Sequence, residues 1–474
     1  MNNKLFSKIK ISAPALMVMA VVLAACAAPT APPPQIVVQT AVVTSVVEKV
    51  KEVSKEVVIT ATPVPVKSTQ DDKAPVVVWI DDTRKPLVEA FKKKYPDKAA
   101  LIKEEVVDRG TFPAKVLLFN NTGKGWPDVV FAEPNLVSQV ADSNRNFPHD
   151  LTNAVPKEII DQFAPGALAP CTFGGKLLCL RNDLAQNMIW FNKPLFEQFK
   201  YKVPTTWAEY EQLGELVAKE HPGYIIGALD EASITYVYLW GSRCPLGHAR
   251  DVNTLYINLE DPKCTRAIKM MDNLTKLGVL AKVGNFDPAV AKLAGENKVL
   301  MMVGPSWFGE YVFGGKPEST YYKKAEGQLD TAVPMKWDGE DKNYTGFWGG
   351  SAWSVSRHAA NLKLAVEFAI FASTAVEYHG TGPTYPAFAP SAVEWRKTLN
   401  GNPLYAQDPY PIMEKSAAVM DPLITSVRFN QTSPFKDIAV PAITKGQTIE
   451  SVIPALQKAL VGLAAAQGYN VVTK

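Results

Sequence analysis

The chain has 474 residues, of which 47% are hydrophobic and 20% charged, a length and balance that fit a globular protein of two or three domains and exclude a disordered one. Its 50 Lys and Arg against 47 Asp and Glu leave a formal charge of +3. That lacks the concentrated basic excess that phosphate neutralisation requires, so nucleic acid is excluded as a partner. Beyond residue 30 no apolar run approaches the roughly 18 to 20 residues a bilayer-crossing helix needs, which excludes a multi-span transporter or channel.

In chain order, Lys4, Lys8 and Lys10 precede an apolar run from Ile11 to Leu23, the basic-then-apolar layout of an export signal. Leu23-Ala-Ala-Cys26 resembles a bacterial lipobox. Residues 1–25 are therefore expected to be removed and Cys26 to be lipidated, which would anchor the protein to the outer face of the cell membrane, at the cell surface or in the periplasm, without spanning it. An ordinary signal peptide with an incidental Cys26 is the alternative. Residues 26–72 read as lipid anchor and tether: Pro29, Pro32, Pro33 and Pro34 open the stretch, Pro63 and Pro65 close it, and no aromatic lies between to seed a core. A short coiled coil competes with that reading, because Ile36, Val43, Val46, Val50, Val53 and Val57 follow alternating three- and four-residue steps once Gln39 is admitted to the seam.

From there the pattern alternates between strand and helix. Residues 75–80 read as a buried strand, Pro86 to Tyr95 as an amphipathic helix ended by Pro96, Ile102 to Val107 as a second strand, Lys115 to Asn121 as helix and Asp128 to Phe131 as a third strand. Later, Val299 to Val303 reads as strand, and Asn361 to Ser373 and Thr448 to Ala465 as helices. Successive units of this kind predict mostly parallel sheets flanked by helices. Four further cysteines, Cys171, Cys179, Cys244 and Cys264, read as two disulfides in an exported chain. Local pairing, Cys171 with Cys179 and Cys244 with Cys264, is the expected connectivity. A three-residue turn at Gly174 to Lys176 would set Cys171 opposite Cys179.

Lys176-Leu-Leu-Cys-Leu-Arg-Asn-Asp183, Met188-Ile-Trp-Phe-Asn-Lys-Pro-Leu-Phe196 and Val203-Pro-Thr-Thr-Trp-Ala-Glu-Tyr210 together resemble the central signature of the family 1 extracellular solute-binding proteins. Gly125-Trp-Pro-Asp-Val-Val130, Met302-Val-Gly-Pro-Ser-Trp307 and Gly349-Gly-Ser-Ala-Trp-Ser-Val-Ser356 are further matches in family order. The opening Val76-Val-Val-Trp-Ile-Asp-Asp-Thr-Arg-Lys85 is similar to maltose-binding-type proteins. Cys179-Leu-Arg-Asn-Asp183 stands where many members read Gly-Leu-Pro-x-Asp. The resemblance implies a two-lobe, type II-like periplasmic-binding-protein α/β fold with a ligand cleft between lobes, here residues 73–182 plus 348–382 and 183–347 plus 383–474, with crossings near Asn182 and Phe347. It also implies a receptor that closes on a small solute, most naturally a sugar or oligosaccharide, and hands it to an ABC importer permease. No cofactor or metal is expected, and the chain is expected to be a monomer.

Sugars need carboxylates and amides for their hydroxyls and aromatic rings for their C–H faces. Asp81, Asp82 and Arg84 follow the first strand, and Glu133 and Asn135 the third, where parallel sheets present ligand-facing loops. Asn182 and Asp183 precede the first implied crossing. Trp240, Trp307 and Trp348 lie in or beside segments that in the family supply stacking rings, and Arg428 lies in a late segment that often completes the cleft. Against this, Asp81 and Asp82 also read as a helix-capping pair and Glu133 and Asp183 as solvated loop charges. Asp128, Trp79, Trp190 and Trp207 read as structural.

No nucleophile-elbow, zinc-protease, phosphate-loop or dinucleotide motif is present, and His149, His221, His248, His358 and His379 lack metal-ligand spacing. An enzyme is not expected. A surface glycoside hydrolase, which needs only two suitably spaced carboxylates, and an importer-independent sensory or adhesive lipoprotein are the alternatives.

Overall fold

The computed structural model describes residues 70–142, 145–313, 327–382, 384–399 and 401–474. The export signal, Cys26, the competing coiled coil and the tether up to Thr69 lie outside the described residues.

The first apolar run forms strand β1 (Val76–Ile80), whose β-branched residues suit a strand covered on both faces. Pro86 sits in the first turn of helix α1 (Lys85–Lys94), which buries Leu87, Val88 and Phe91. Strand β2 (Ile102–Val106), helix α2 (Phe112–Thr122), strand β3 (Val129–Ala132) and the short helix α3 (Pro134–Gln139) follow. Strand β4 (Leu180–Arg181) leads through five residues into β5 (Asn187–Asn192). Thr206 then caps helix α4 (Trp207–Glu220), its hydroxyl accepting from Glu209 N while the Glu209 carboxylate returns to the Thr206 amide. The later elements that matter here are β6 (Met301–Pro305), β7 (Leu329–Ala332), β8 (Ala352–Val355) and helix α5 (Leu362–Thr374).

Two sheets organise these strands. The first has the order β2-β1-β3-β8-β4, with β1 parallel to β2 and β3, and β8 antiparallel to β3 and β4. The second, β6-β5-β7, is antiparallel at both pairings, where the alternating pattern predicts a mostly parallel sheet. The reason is topological. Parallel neighbours need a crossover that returns the chain to the same end, whereas β5 is reached straight from β4 and its neighbours arrive from the other end. The first sheet belongs to a core containing Phe91, Phe131 and Trp353, with the Phe91 ring 5.0 Å from Phe368 and 5.2 Å from Phe371 of α5. A second core gathers Trp207, Tyr210, Tyr238, Met271 and Leu460.

The disulfides are Cys171–Cys179 and Cys244–Cys264. The first closes a hairpin whose register differs from the expected one. Phe173 pairs with Lys176 and Thr172 with Leu177, so the turn has two residues, Gly174 and Gly175, both at positive φ. A paired glycine turn of this kind matches strand twist better than three residues do. It leaves Cys171 opposite Leu178, whose amide donates to the Cys171 carbonyl at 2.9 Å.

Three chain passages run side by side between the sheets. Asp183 bridges to Pro386 and Gln186 to Phe347. The amides of Asn182, Leu184, Asn187 and Trp348 donate to the carbonyls of Ser351, Tyr385, Gly346 and Ala185 at 2.8–3.1 Å.

Candidate functional site

Parallel strands end at one edge of a sheet, so the residues that follow them converge. Asp81 and Arg84 after β1, Arg109 after β2, and Glu133 and Asn135 after β3 all line one cleft of about 610 Å³. Asp183 enters it from the passage after β4. Nη1 of Arg109 lies 3.0 Å from Glu133 Oε1 and donates to Ser351 Oγ at 2.8 Å, and its Nε is 3.9 Å from Asp81 Oδ2. Arg84 is buried, with Nη1 4.0 Å from Asp81 Oδ1 and its guanidinium 4.3 Å over the Phe131 ring. Both guanidiniums thus have carboxylate neighbours.

The electrostatics follow from depth. Burial pushes the Asp183 carboxyl above its ordinary range, opposed by Arg84, by the Asn182 amide and by Arg181 and Arg109. Burial also works against the Arg84 cation, but Asp81, Tyr378 and Asp183 outweigh it and raise its pKa. Beneath the cleft, burial lowers the Arg181 pKa to about 10. That residue spends its donors on the backbone, giving Nε to Asp183 O at 3.0 Å and Nη2 to Leu184 O at 2.9 Å, which fixes where the Asp183 side chain begins.

Seven aromatic residues also line it, Tyr236, Trp240, Phe286, Trp307, Tyr311, Phe347 and Trp348, among smaller polar ones. Trp307 Nε1 donates to Trp348 O at 2.7 Å. Phe286, at the exposed rim, stacks on Trp307 with centroids 6.0 Å apart. Tyr236 packs 4.6 Å from Trp240 and rides on a π-helical segment, Ser233–Leu239, whose wider turn redirects side chains.

Asp81, Arg84, Glu133, Asn135, Asp183, Trp240, Trp307 and Trp348 are therefore brought together. Asp82, Asn182 and Arg428 are not. Asp82 is exposed and pairs with Lys85 at 2.7 Å. Asn182 does not line the cleft: its Nδ2 donates to Asp183 Oδ1 at 3.1 Å from behind, and its Oδ1 accepts from Trp353 Nε1 at 3.2 Å. Arg428 packs its guanidinium 4.1 Å from the Tyr469 ring, while Asn430 and Gln431, two and three residues on, reach the cleft. Asp128 accepts from Val77 N at 2.7 Å and ties β3 to β1. Trp79, Trp190 and Trp207 are buried outside the cleft. Arg109 is the lining charge that the sequence reading omits, although it follows β2 as Asp81 follows β1. Among the described residues no group of three or more His, Cys, Asp or Glu is placed to hold a metal ion.

Comparison with known proteins identifies the fold. An ABC transporter associated binding protein from B. animalis subsp. lactis, in complex with beta-1,6-galactobiose, superposes with a TM-score of 0.69 at 18% identity, covering 85% of this chain and 100% of that one. The galacto-N-biose-/lacto-N-biose I-binding protein of Bifidobacterium longum, in complex with lacto-N-biose, gives 0.67 at 16% identity, covering 85% and 100%. Both carry the two-lobe periplasmic-binding-protein fold, which this chain shares. In sequence, the chain is 28% identical over 159 residues to the diacetylchitobiose binding protein NgcE of Streptomyces coelicolor, an alignment spanning 32% of this chain and 34% of that relative. Residues 79–377, more than half of the chain, match the model for bacterial extracellular solute-binding proteins. On that match the chain belongs to the bacterial extracellular solute-binding protein family.

Proposed function

We propose that this protein captures a neutral sugar or short oligosaccharide by closing two lobes around it, and delivers it unaltered to an ABC importer permease. The observation that carries the reading is the composition of the cleft, which combines aromatic rings with a cluster of acids and arginines. Aromatic faces suit the C–H patches of a sugar, and carboxylates and amides suit its hydroxyls. Three acids, Asp81, Glu133 and Asp183, stand against two arginines, Arg84 and Arg109. An anionic ligand must therefore compete with carboxylates already in place, at the cost of leaving them unpaired. A volume of about 610 Å³ lies within the usual range for small-ligand sites. The sugars named for the relatives favour the same class.

Membership of an extracellular family makes the chain an exported protein. Lipidation at Cys26, a monomeric state and the lobe limits 73–182 plus 348–382 and 183–347 plus 383–474 complete the proposal. The lobe limits draw support from the passages at Asn182 and Phe347, where the chain leaves one sheet for the other. A ligand touching both lobes favours the closed state and shifts the population toward it.

The test is a thermal-shift and calorimetric screen of the soluble chain from residue 27 against β-linked and malto-disaccharides, polyols and polyamines. A rise in Tm with at least one disaccharide is expected by binding linkage. Response to polyamines alone would overturn the sugar reading, and release of reducing ends would make the protein a glycoside hydrolase.

A further inference from the structure

A second concavity, of about 800 Å³, shares no residue with the cleft and runs along α5. Its floor is apolar: Leu362, Val366, Ile370 and Phe371 form a stripe along the helix, with Tyr95 from the end of α1 and Val376 beyond α5. Three of the charges at its edge, Lys94, Glu367 and Glu377, already have partners, and Lys363 beside them is exposed. Lys94 lies 2.7 Å from Glu377, and Glu367 pairs with Lys98. A groove so constituted offers apolar surface and little free charge, so it selects an uncharged, extended occupant.

The described chain begins at this groove. Gln70 is one of its lining residues. The Leu362 amide donates to Gln70 Oε1 at 3.2 Å, and the Asp71 amide donates to Ala360 O at 2.9 Å. Asn361 Nδ2 donates to the carbonyls of Asp72 at 2.9 Å and Ala74 at 3.1 Å. Residue 70 is thus pinned at the amino end of α5. The seven residues before it read Pro63-Val-Pro-Val-Lys-Ser-Thr69. In polyproline conformation they span about 22 Å, and the 13 residues of α5 span about 20 Å.

We propose that Pro63 to Val66 of the protein's own tether dock in this groove. The segment runs back along α5 from Gln70 and covers Val366, Ile370 and Phe371 with alternating prolines and valines. Proline-rich segments suit aromatic-lined grooves because their extended form is set before binding. Attachment at residue 70 keeps the segment at high effective concentration. Docking moves the point at which the stalk leaves the body from one end of α5 to the other and shortens the free tether to the residues before Pro63.

The experiment uses the mature chain carrying Val66→Cys with Ile370→Cys, with Val43→Cys and Ile370→Cys as control. The expected result under mild oxidation is an intrachain bond between positions 66 and 370 in large excess over the control pair, read by non-reducing gel and peptide mass. A dimer joined through position 370 would assign the groove to a second copy and overturn the proposal, as would equal yields from the two pairs. A second variant leaves the groove untouched. Val64→Asp with Val66→Asp is expected to raise the rate of tryptic cleavage after Lys67 about ten-fold, because cleavage follows the undocked population; an unchanged rate overturns the proposal.

Discussion

The Trp307 indole donates to the Trp348 carbonyl at 2.7 Å, and the two rings meet edge to face with centroids 5.8 Å apart. Trp307 follows β6 and Trp348 lies in the passage toward β8, so this contact joins the aromatic lining to a segment that runs between the sheets. Trp307→Ala is expected to weaken sugar binding about ten-fold or more, a loss of at least ~1.4 kcal/mol. Tm should change little, because the residue is only half-buried. Trp307→Phe keeps a ring and should lose less. Calorimetry paired with thermal unfolding checks both, and a collapse of Tm in Trp307→Ala would place the ring in the core instead.

Gly350 lies at φ +71°, and a Cβ there would collide with the Arg181 guanidinium and come within 2.7 Å of the Asp183 carbonyl. Gly350→Ala therefore combines backbone strain with displacement of the buried cation that holds Asp183. A destabilisation of about 2 kcal/mol or more is expected. Urea unfolding measures it, and a variant as stable as the parent would show that Arg181 moves aside freely.

Burial raises the Asp128 pKa from 3.8 to about 6, while the hydrogen bond from Val77 opposes the rise. The folded state therefore holds this proton more tightly than the unfolded state. The group's contribution to stability is full below about pH 4 and is lost as pH climbs through 6. Asp128→Asn keeps an oxygen for the Val77 amide and removes the titration. The Tm of the parent should fall relative to the variant between pH 4 and 7. Tm curves that stay parallel across that range would contradict the assignment.

Each disulfide closes a loop within one region of the fold. On chain entropy, Cys171→Ser with Cys179→Ser should cost about 2.6 kcal/mol and Cys244→Ser with Cys264→Ser about 3.3 kcal/mol. Denaturant midpoints of the two double variants test the order. Each bridge is buried in its own core, the first with Trp353 and the second with Trp207 and Tyr238, so loop length is what separates the two.

The opening β-α-β-α-β units were legible because each is coded locally. The valine run of β1, the Pro86 helix start and the Asp128-to-Phe131 run report burial and periodicity within a few residues of themselves. The same rule, applied to the end of β2, reaches Arg109. What local pattern does not carry is pairing across distance. The antiparallel flanks of β5 are set by where β6 and β7 arrive from, over a hundred residues later. Tyr236 needs a π-helical turn that no spacing announces, and Asn430 and Gln431 lie just beyond Arg428 in a segment of irregular chain. Asn182 stays out of the cleft because its amide is held between Asp183 and Trp353, a pairing across 171 residues that no local spacing reports.

The hydrogen-bonded ribbon of passages at Asn182, Phe347 and Tyr385 has a mechanical consequence. Three strips bonded edge to edge bend together far more readily than they slide, so under the proposed lobe closure the relative motion of the halves would reduce to one rotation. Guest girth would then be converted into an angle. Two guests of equal affinity but unequal width would leave the molecule in different poses, and a transporter that accepts a single pose would admit one and refuse the other.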